Sequence, residues 1–232
     1  MDRNVQRLDV LNGGAGYGVD THKVLRNTYW LLALSMVPTV LGAWIGLLTG
    51  FGLHMSAGQS MILFLVGAYG LMFGVHATKN SGWGVAVMLA FTFFMGLMLS
   101  RLLGVVLGGY TNGASLVMTA FGGTGAVFFG MATLATVVKR EMSGIARFAS
   151  IGMMIAIAAT VMNLWMASTA LMLTVSVVVM AISSLFMMID VKRVIDGGET
   201  NYITAALAIY VDLYNMFQSL LIILTSLAGD RR

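Results

Sequence analysis

No Asp, Glu, Lys or Arg stands between Arg26 and Lys79, and none between Arg147 and Asp190. A helix crosses a hydrocarbon core of ~30 Å with ~20 apolar residues, so each of these stretches is long enough to span a bilayer. The charges that remain sit in short clusters between such stretches. There are 13 Lys+Arg and 9 Asp+Glu, together 9% of 232 residues, against about 25% in a soluble domain. With 59% apolar residues and a mean hydropathy of +0.90, a water-soluble globule is excluded. The chain reads as an integral membrane protein.

Cutting at charges and turn residues predicts seven spans, at 24–48, 61–78, 83–107, 114–138, 146–165, 169–190 and 203–228. Barrel strands would be ~10 residues of alternating polarity. Runs such as Val105-Val106-Leu107 and residues 174–180 have no such alternation, so the expected fold is an all-α bundle of seven transmembrane helices. Short connectors leave no room for a soluble domain. Residues 1–22 are expected to be a cytoplasmic flexible tail, with 23–232 as the transmembrane domain. The tail is polar, carries Gly13, Gly14, Gly16 and Gly18, and lacks the apolar core and cleavage site of a secretory signal. The first span is therefore expected to be an uncleaved signal anchor, kinked at Pro38, the chain's one proline.

Lys and Arg counts predict the orientation. Arg3, Arg7, Lys23, Arg26, Lys79, Lys139, Arg140, Arg147, Lys192 and Arg193 all fall on one side of a seven-span chain. The connectors near 49–60, 108–113 and 164–169 hold none. Cationic loops stay in the cytoplasm, which predicts a cytoplasmic N-terminus and a periplasmic C-terminus; Asp230-Arg231-Arg232 is the one contrary cluster. The same pattern explains the net charge of +4 and the pI near 9.6 by membrane orientation, so nucleic acid is not an expected partner.

Cysteine is absent, which removes disulfides, thiol catalysis and cysteine-ligated metals. His22, His54 and His76 are far apart and do not form a helical metal-binding pair. Gly122-Gly123-Thr124-Gly125 lacks the Lys-Ser/Thr of a phosphate loop and lies within a span. It reads as a packing site, as do Gly42/Gly46, Gly70/Gly74 and Gly104/Gly108, whose four-residue spacing lets helix backbones approach in lipid. The 20 methionines read as packing filler. No cofactor is expected.

Asp190 and Asp212 carry the most information. A carboxylate at membrane depth faces protein or water, and these two flank one cytoplasmic turn on consecutive helices. Counted from Ile203 at ~1.5 Å per residue, Asp212 lies about 13 Å deep, and Asp190 about 7 Å deep if the sixth helix continues to Ile195. Two carboxylates in contact at low dielectric do not both ionise cheaply, so the pair is expected to share one proton. The competing readings are an interfacial Asp190 held by Lys192 or Arg193, and an Asp212 satisfied by Tyr210, Tyr214 or Asn215. Arg101 either snorkels outward or lines an exit vestibule. Asn163, Ser176 and Thr119 are the other sparse polar candidates for a path across the membrane. An intramembrane aspartyl protease would also use paired aspartates, but Gly-x-Gly-Asp precedes neither residue; the expected protein is not an enzyme.

Two terminal segments bear a resemblance. Residues 21–30, Thr-His-Lys-Val-Leu-Arg-Asn-Thr-Tyr-Trp, together with Gly197-Gly198-Glu199-Thr200-Asn201-Tyr202-Ile203 and residues 208–217, are similar to the bacterial YccA-like branch of the Bax inhibitor-1 (TMBIM) superfamily. Tyr69 to Phe73 and Phe91-Thr92 are weaker similarities. The resemblance implies six helices around a central C-terminal helix in the bacterial inner membrane. It also implies either binding to the membrane AAA protease FtsH, modulating its degradation of membrane proteins, or a pH-sensitive leak of calcium or another cation; a transported Ca2+ or H+ would be the only bound species. Asp190 and Asp212 resemble the leak branch's di-aspartyl pH sensor. That branch carries a basic latch in its second span, where this chain has only His76, a titratable substitute or an ordinary interfacial histidine.

Overall fold

The computed structural model describes residues 20–51 and 55–229. Seven helices cover almost all of them: α1 Thr21–Thr49, α2 Ala57–Thr78, α3 Gly84–Gly109, α4 Gly113–Val137, α5 Ser143–Met166, α6 Thr169–Ile195 and α7 Tyr202–Leu227. Each is long and apolar enough to cross a membrane, and no strand occurs among the described residues. The protein is an all-α, seven-helix membrane protein. Residues 1–19, most of the expected tail, lie outside the described residues, as do His54 and Asp230 to Arg232.

Local chemistry sets the helix starts. Asp20 accepts from the Lys23 amide and begins α1 three residues before the expected span. Ser56 and Gln59 cap α2 reciprocally, and Ser168 caps α6 through the Leu171 amide. Each satisfies amides that the first helical turn leaves without partners. α1 runs unbroken through Pro38.

The α7 start is tied to another connector. Asn201 Oδ1 accepts from the amides of Ile203 and Thr204, at 2.9 and 3.3 Å. Its Nδ2 donates to the Lys79 carbonyl and to Asn80 Oδ1, at 3.0 and 3.1 Å. One side chain thus caps α7 and clamps the α2–α3 turn to it. Preceding it, Gly197 adopts φ +77°, the left-handed conformation that glycine reaches without a Cβ clash. Asn201→Ala is expected to cost about 1–2 kcal/mol, the upper part of the range for a lost helix cap, and to lower the thermal midpoint in detergent. An unchanged midpoint would show that the clamp adds nothing.

α7 is the core. It packs against α1, α2, α3, α4 and α6 and buries Ile203, Leu207, Ile209, Tyr210, Met216 and Leu221 almost completely. α5 stands apart, packing on α6 and leaving Phe148, Ile155 and Trp165 exposed, as lipid-facing side chains should be. The ring around α7 is therefore five helices with α5 outside it.

The broadest helix pairing is α1 with α3. A Cβ at Gly42 would collide with the Phe93 carbonyl, one at Gly46 with Ser100, and one at Gly96 with the Thr39 carbonyl. Glycine here is a steric requirement of close approach. The other two expected pairs differ: a Cβ at Gly70 or Gly108 would meet nothing within 4 Å, one at Gly74 would meet only Val87, at 3.3 Å, and one at Gly104 would make only ordinary contact with Leu47. In the 122–125 run, Thr124 is buried, and of the three glycines only Gly123 would place a Cβ against a neighbour, Leu220.

Candidate functional site

The site lies on the α6–α7 seam. α6 continues to Ile195, as the depth of Asp190 requires, which places that residue five positions, about 7 Å, before the helix end. Asp212 is ten residues into α7, about 15 Å along it. The helices are antiparallel, and Ser184 Oγ donates to Met216 Sδ at 3.5 Å across the seam. Asp212 is one helical turn from Met216, toward the end where Asp190 lies.

Asp212 is 6% exposed, and its Oδ2 has no hydrogen-bond partner. Nearby tyrosines do not satisfy it. Tyr210 OH shares a 2.8 Å hydrogen bond with Thr39 Oγ1 of α1 and donates to the Thr92 carbonyl of α3 at 3.4 Å. Tyr214 OH donates to the Met95 carbonyl at 3.3 Å and accepts from Gln218 at 3.2 Å. Both tyrosines thus anchor α7 to the α1–α3 pair, away from the seam. A buried polar atom without a partner is rare and calls for an explanation.

Asp190 lies on the facing helix α6, toward the same end of the antiparallel pair as Asp212. Its own side chain is 16% exposed, with Arg193 Nη1 at 3.7 Å from Oδ1. That is an ion pair beyond hydrogen-bonding distance. Lys192 turns to Asp196 instead, at 2.9 Å. One carboxylate therefore borders a basic, solvated turn while its neighbour is enclosed.

A second orphaned atom lies on α6. Ser183 is fully buried and its Oγ has no partner; it stands seven residues from Asp190, two turns further into the membrane. Sequence reasoning passed over Ser183, although its seven-residue spacing from Asp190 places the two on one helix face.

The remaining candidates are not gathered here. His76 is exposed, with Nδ1 bonded to the Met72 carbonyl of its own helix at 2.9 Å. Arg101 Nη1 donates to Ser60 Oγ of α2 at 2.7 Å, which ties α3 to α2. Asn163 accepts from the Ser168 amide in the α5–α6 turn. Ser176 and Thr119 each donate to a carbonyl one turn back on their own helices.

Seven apolar helices, one of them a core helix that carries a buried carboxylate, define a multi-pass membrane protein with an ionisable centre. The family described as "inhibitor of apoptosis-promoting Bax1" matches residues 21–229. The chain belongs to this Bax inhibitor-1 family. It is 37% identical over 212 residues to the Escherichia coli K12 protein named "Modulator of FtsH protease YccA", covering 91% of this chain and 94% of that one. An uncharacterised Neisseria meningitidis serogroup B protein is 38% identical over 215 residues, with the same coverage. A Vibrio cholerae relative named as an uncharacterised membrane protein is 34% identical over 210 residues, 89% of this chain and 90% of its own.

Proposed function

We propose that this protein is a non-enzymatic inner-membrane modulator of the membrane AAA protease FtsH, with a proton-sharing centre at Asp190 and Asp212. The observation that carries the partner is the 37% identity, over 91% of the chain, to the relative named for FtsH. Affinity-tagged chain expressed in E. coli membranes is expected to co-isolate with FtsH and to slow turnover of an FtsH membrane substrate. Clean separation from FtsH together with unchanged turnover would refute the reading.

The carboxylate centre supports a second reading, a pH-sensitive cation leak. The observation favouring it is the pair of orphaned buried oxygens, Asp212 Oδ2 and Ser183 Oγ, on facing helices. A hydrated cation is a partner that both could take, and a proton one that Asp212 could take. This reading gives His76 no role, because it is exposed and bonded to the Met72 carbonyl of its own helix.

The orientation proposed for the chain places the basic connectors in the cytoplasm. A reporter inserted near Lys139 is then expected to behave as cytoplasmic, and one fused after Arg232 as periplasmic. The reverse pair of results would invert the bundle.

A further inference from the structure

A cavity of about 950 Å3 lies between α1 and α4. Each of these helices packs on α7, and they meet each other through the edge-to-face ring pair of Tyr29 and Phe128, centroids 6.0 Å apart. Its floor is Leu213 and Phe217 of α7 with Leu99 and Leu103 of α3. Its lips include Val40, Trp44, Met118 and Phe129, all more than half exposed. In a protein whose helices cross the bilayer, exposed apolar lips face lipid, so the slot opens sideways into the membrane. Along α1 it runs from Tyr29 to Leu47, about 27 Å at the helical rise and close to the full ~30 Å of a hydrocarbon core.

Three occupants can be weighed. Water needs two to four polar partners to settle in a cavity, and most polar side chains on these walls are already engaged, Thr39 with Tyr210, Thr124 with the Ala120 carbonyl and Tyr214 with the Met95 carbonyl; Tyr29 and Trp44, fifteen residues and about 22 Å apart along α1, are too far from each other to share one water. A transmembrane helix ~10 Å across is too wide for a slot whose two walls meet in the Tyr29–Phe128 ring contact, centroids 6.0 Å apart. A hydrocarbon chain is apolar, narrow and already present at the mouth.

Charge identifies the lipid further. The α1 residues on the slot recur at 29, 33, 36, 40, 43 and 47, and one step back along that face is Arg26, with Lys23 beside it. α4 ends on the same side of the bundle and runs into Lys139 and Arg140. All four cations are exposed, and none forms an ion pair among the described residues. The acidic groups in the neighbouring sequence are Asp20 and Glu141. A net positive mouth at one end of an apolar slot fits one amphiphile.

We propose that this slot holds an acyl chain of an anionic phospholipid, its headgroup phosphate held at the basic end by Arg26 and Arg140 with Lys23 and Lys139. The test uses the full chain in nanodiscs of mixed phosphatidylglycerol and phosphatidylcholine, followed by mild detergent and native mass spectrometry. One phosphatidylglycerol per chain is expected to persist, enriched severalfold over phosphatidylcholine. Ala33→Phe with Gly125→Phe places two rings in the slot and is expected to abolish retention. Arg26→Gln with Arg140→Gln is expected to keep a bound lipid and lose the headgroup preference. In the unaltered protein, phosphatidylglycerol with a photoreactive acyl chain is expected to label Leu213 or Phe217, which bulk lipid reaches only through the slot. Labelling confined to the outer faces of α1, α4 and α5 would overturn the proposal even if the filled variants fail to fold. So would equal retention of the two lipids.

Discussion

Leucine at Gly96 is expected to prevent stable assembly of the bundle. The atoms a side chain would strike belong to backbone, the Thr39 carbonyl and the Ala43 amide nitrogen of α1, and no rotamer change moves them away. Gly42, on the facing helix, meets Phe93 backbone in the same manner, so α1 and α3 would have to separate along much of their contact. Separation would also pull Thr39 from Tyr210, the hydrogen bond that ties α1 to α7. The loss should exceed the ~1–3 kcal/mol of ordinary overpacking, where side chains can rearrange. Gly70→Leu and Gly122→Leu serve as controls, because nothing lies within 4 Å of a Cβ at either position and exposed substitutions usually stay within about 0.5 kcal/mol. Thermal unfolding in detergent should separate Gly96→Leu from both controls. A midpoint for Gly96→Leu equal to theirs would mean that the α1–α3 approach contributes little to the fold.

Particular residues show why the spans were legible and the pairings were not. Arg26, Lys79, Arg147 and Asp190 bracket uncharged runs whose length alone identifies membrane helices, because the bilayer core excludes charge whatever the tertiary structure. The edges were less accurate: α6 passes Asp190 and ends at Ile195, since a helix extends into the interface until its last carbonyls find water or a cap. Glycine spacing was a weaker guide. Gly42/Gly46 proved to be a close contact and Gly70 did not, since the same four-residue spacing arises on a lipid-facing surface where nothing selects against it. Gly96 has no glycine partner at that spacing, so its role depends wholly on which helix lies opposite.

At the site, Asp190 and Asp212 stood out because charge within a span is costly. Their surroundings did not. Tyr210 and Tyr214 are two residues to either side of Asp212, and sequence proximity suggested that they would satisfy it. On a helix, a two-residue offset turns a side chain roughly 200° away, toward α1 and α3 rather than the seam. Arg101 likewise found Ser60 on α2, a partner 41 residues away that no local pattern reveals. The hydroxyl of Ser183 was hidden for the opposite reason: serine within a span is common, and only complete burial without a partner distinguishes this one.

Asp212→Asn is expected to remove any pH response of the α6–α7 seam. When both carboxylates are ionised they repel, and the single nearby cation, Arg193, stands 3.7 Å from Asp190 and is itself 55% exposed, so solvent weakens its compensation. One proton added to the pair ends the repulsion and supplies a donor for Asp212 Oδ2, which otherwise has none. Acid should therefore draw the basic ends of α6 and α7 together, and alkali should drive them apart. An amide at position 212 cannot gain or release that proton, so the spacing should become independent of pH; Asp190→Asn should act alike. Asp196→Asn is the control, because Asp196 pairs with Lys192 and is 54% exposed. Spin labels at the basic ends of the two helices, read in nanodiscs across a pH series, measure the spacing, and calcium entry into liposomes under the same conditions measures any leak. Flat curves for the unaltered protein in both measurements, or a pH response that survives Asp212→Asn, would leave the two aspartates as fixed structural groups. A moving seam without calcium entry would instead assign the proton switch to partner binding, because the same displacement would then reshape the helix faces available to a membrane protease.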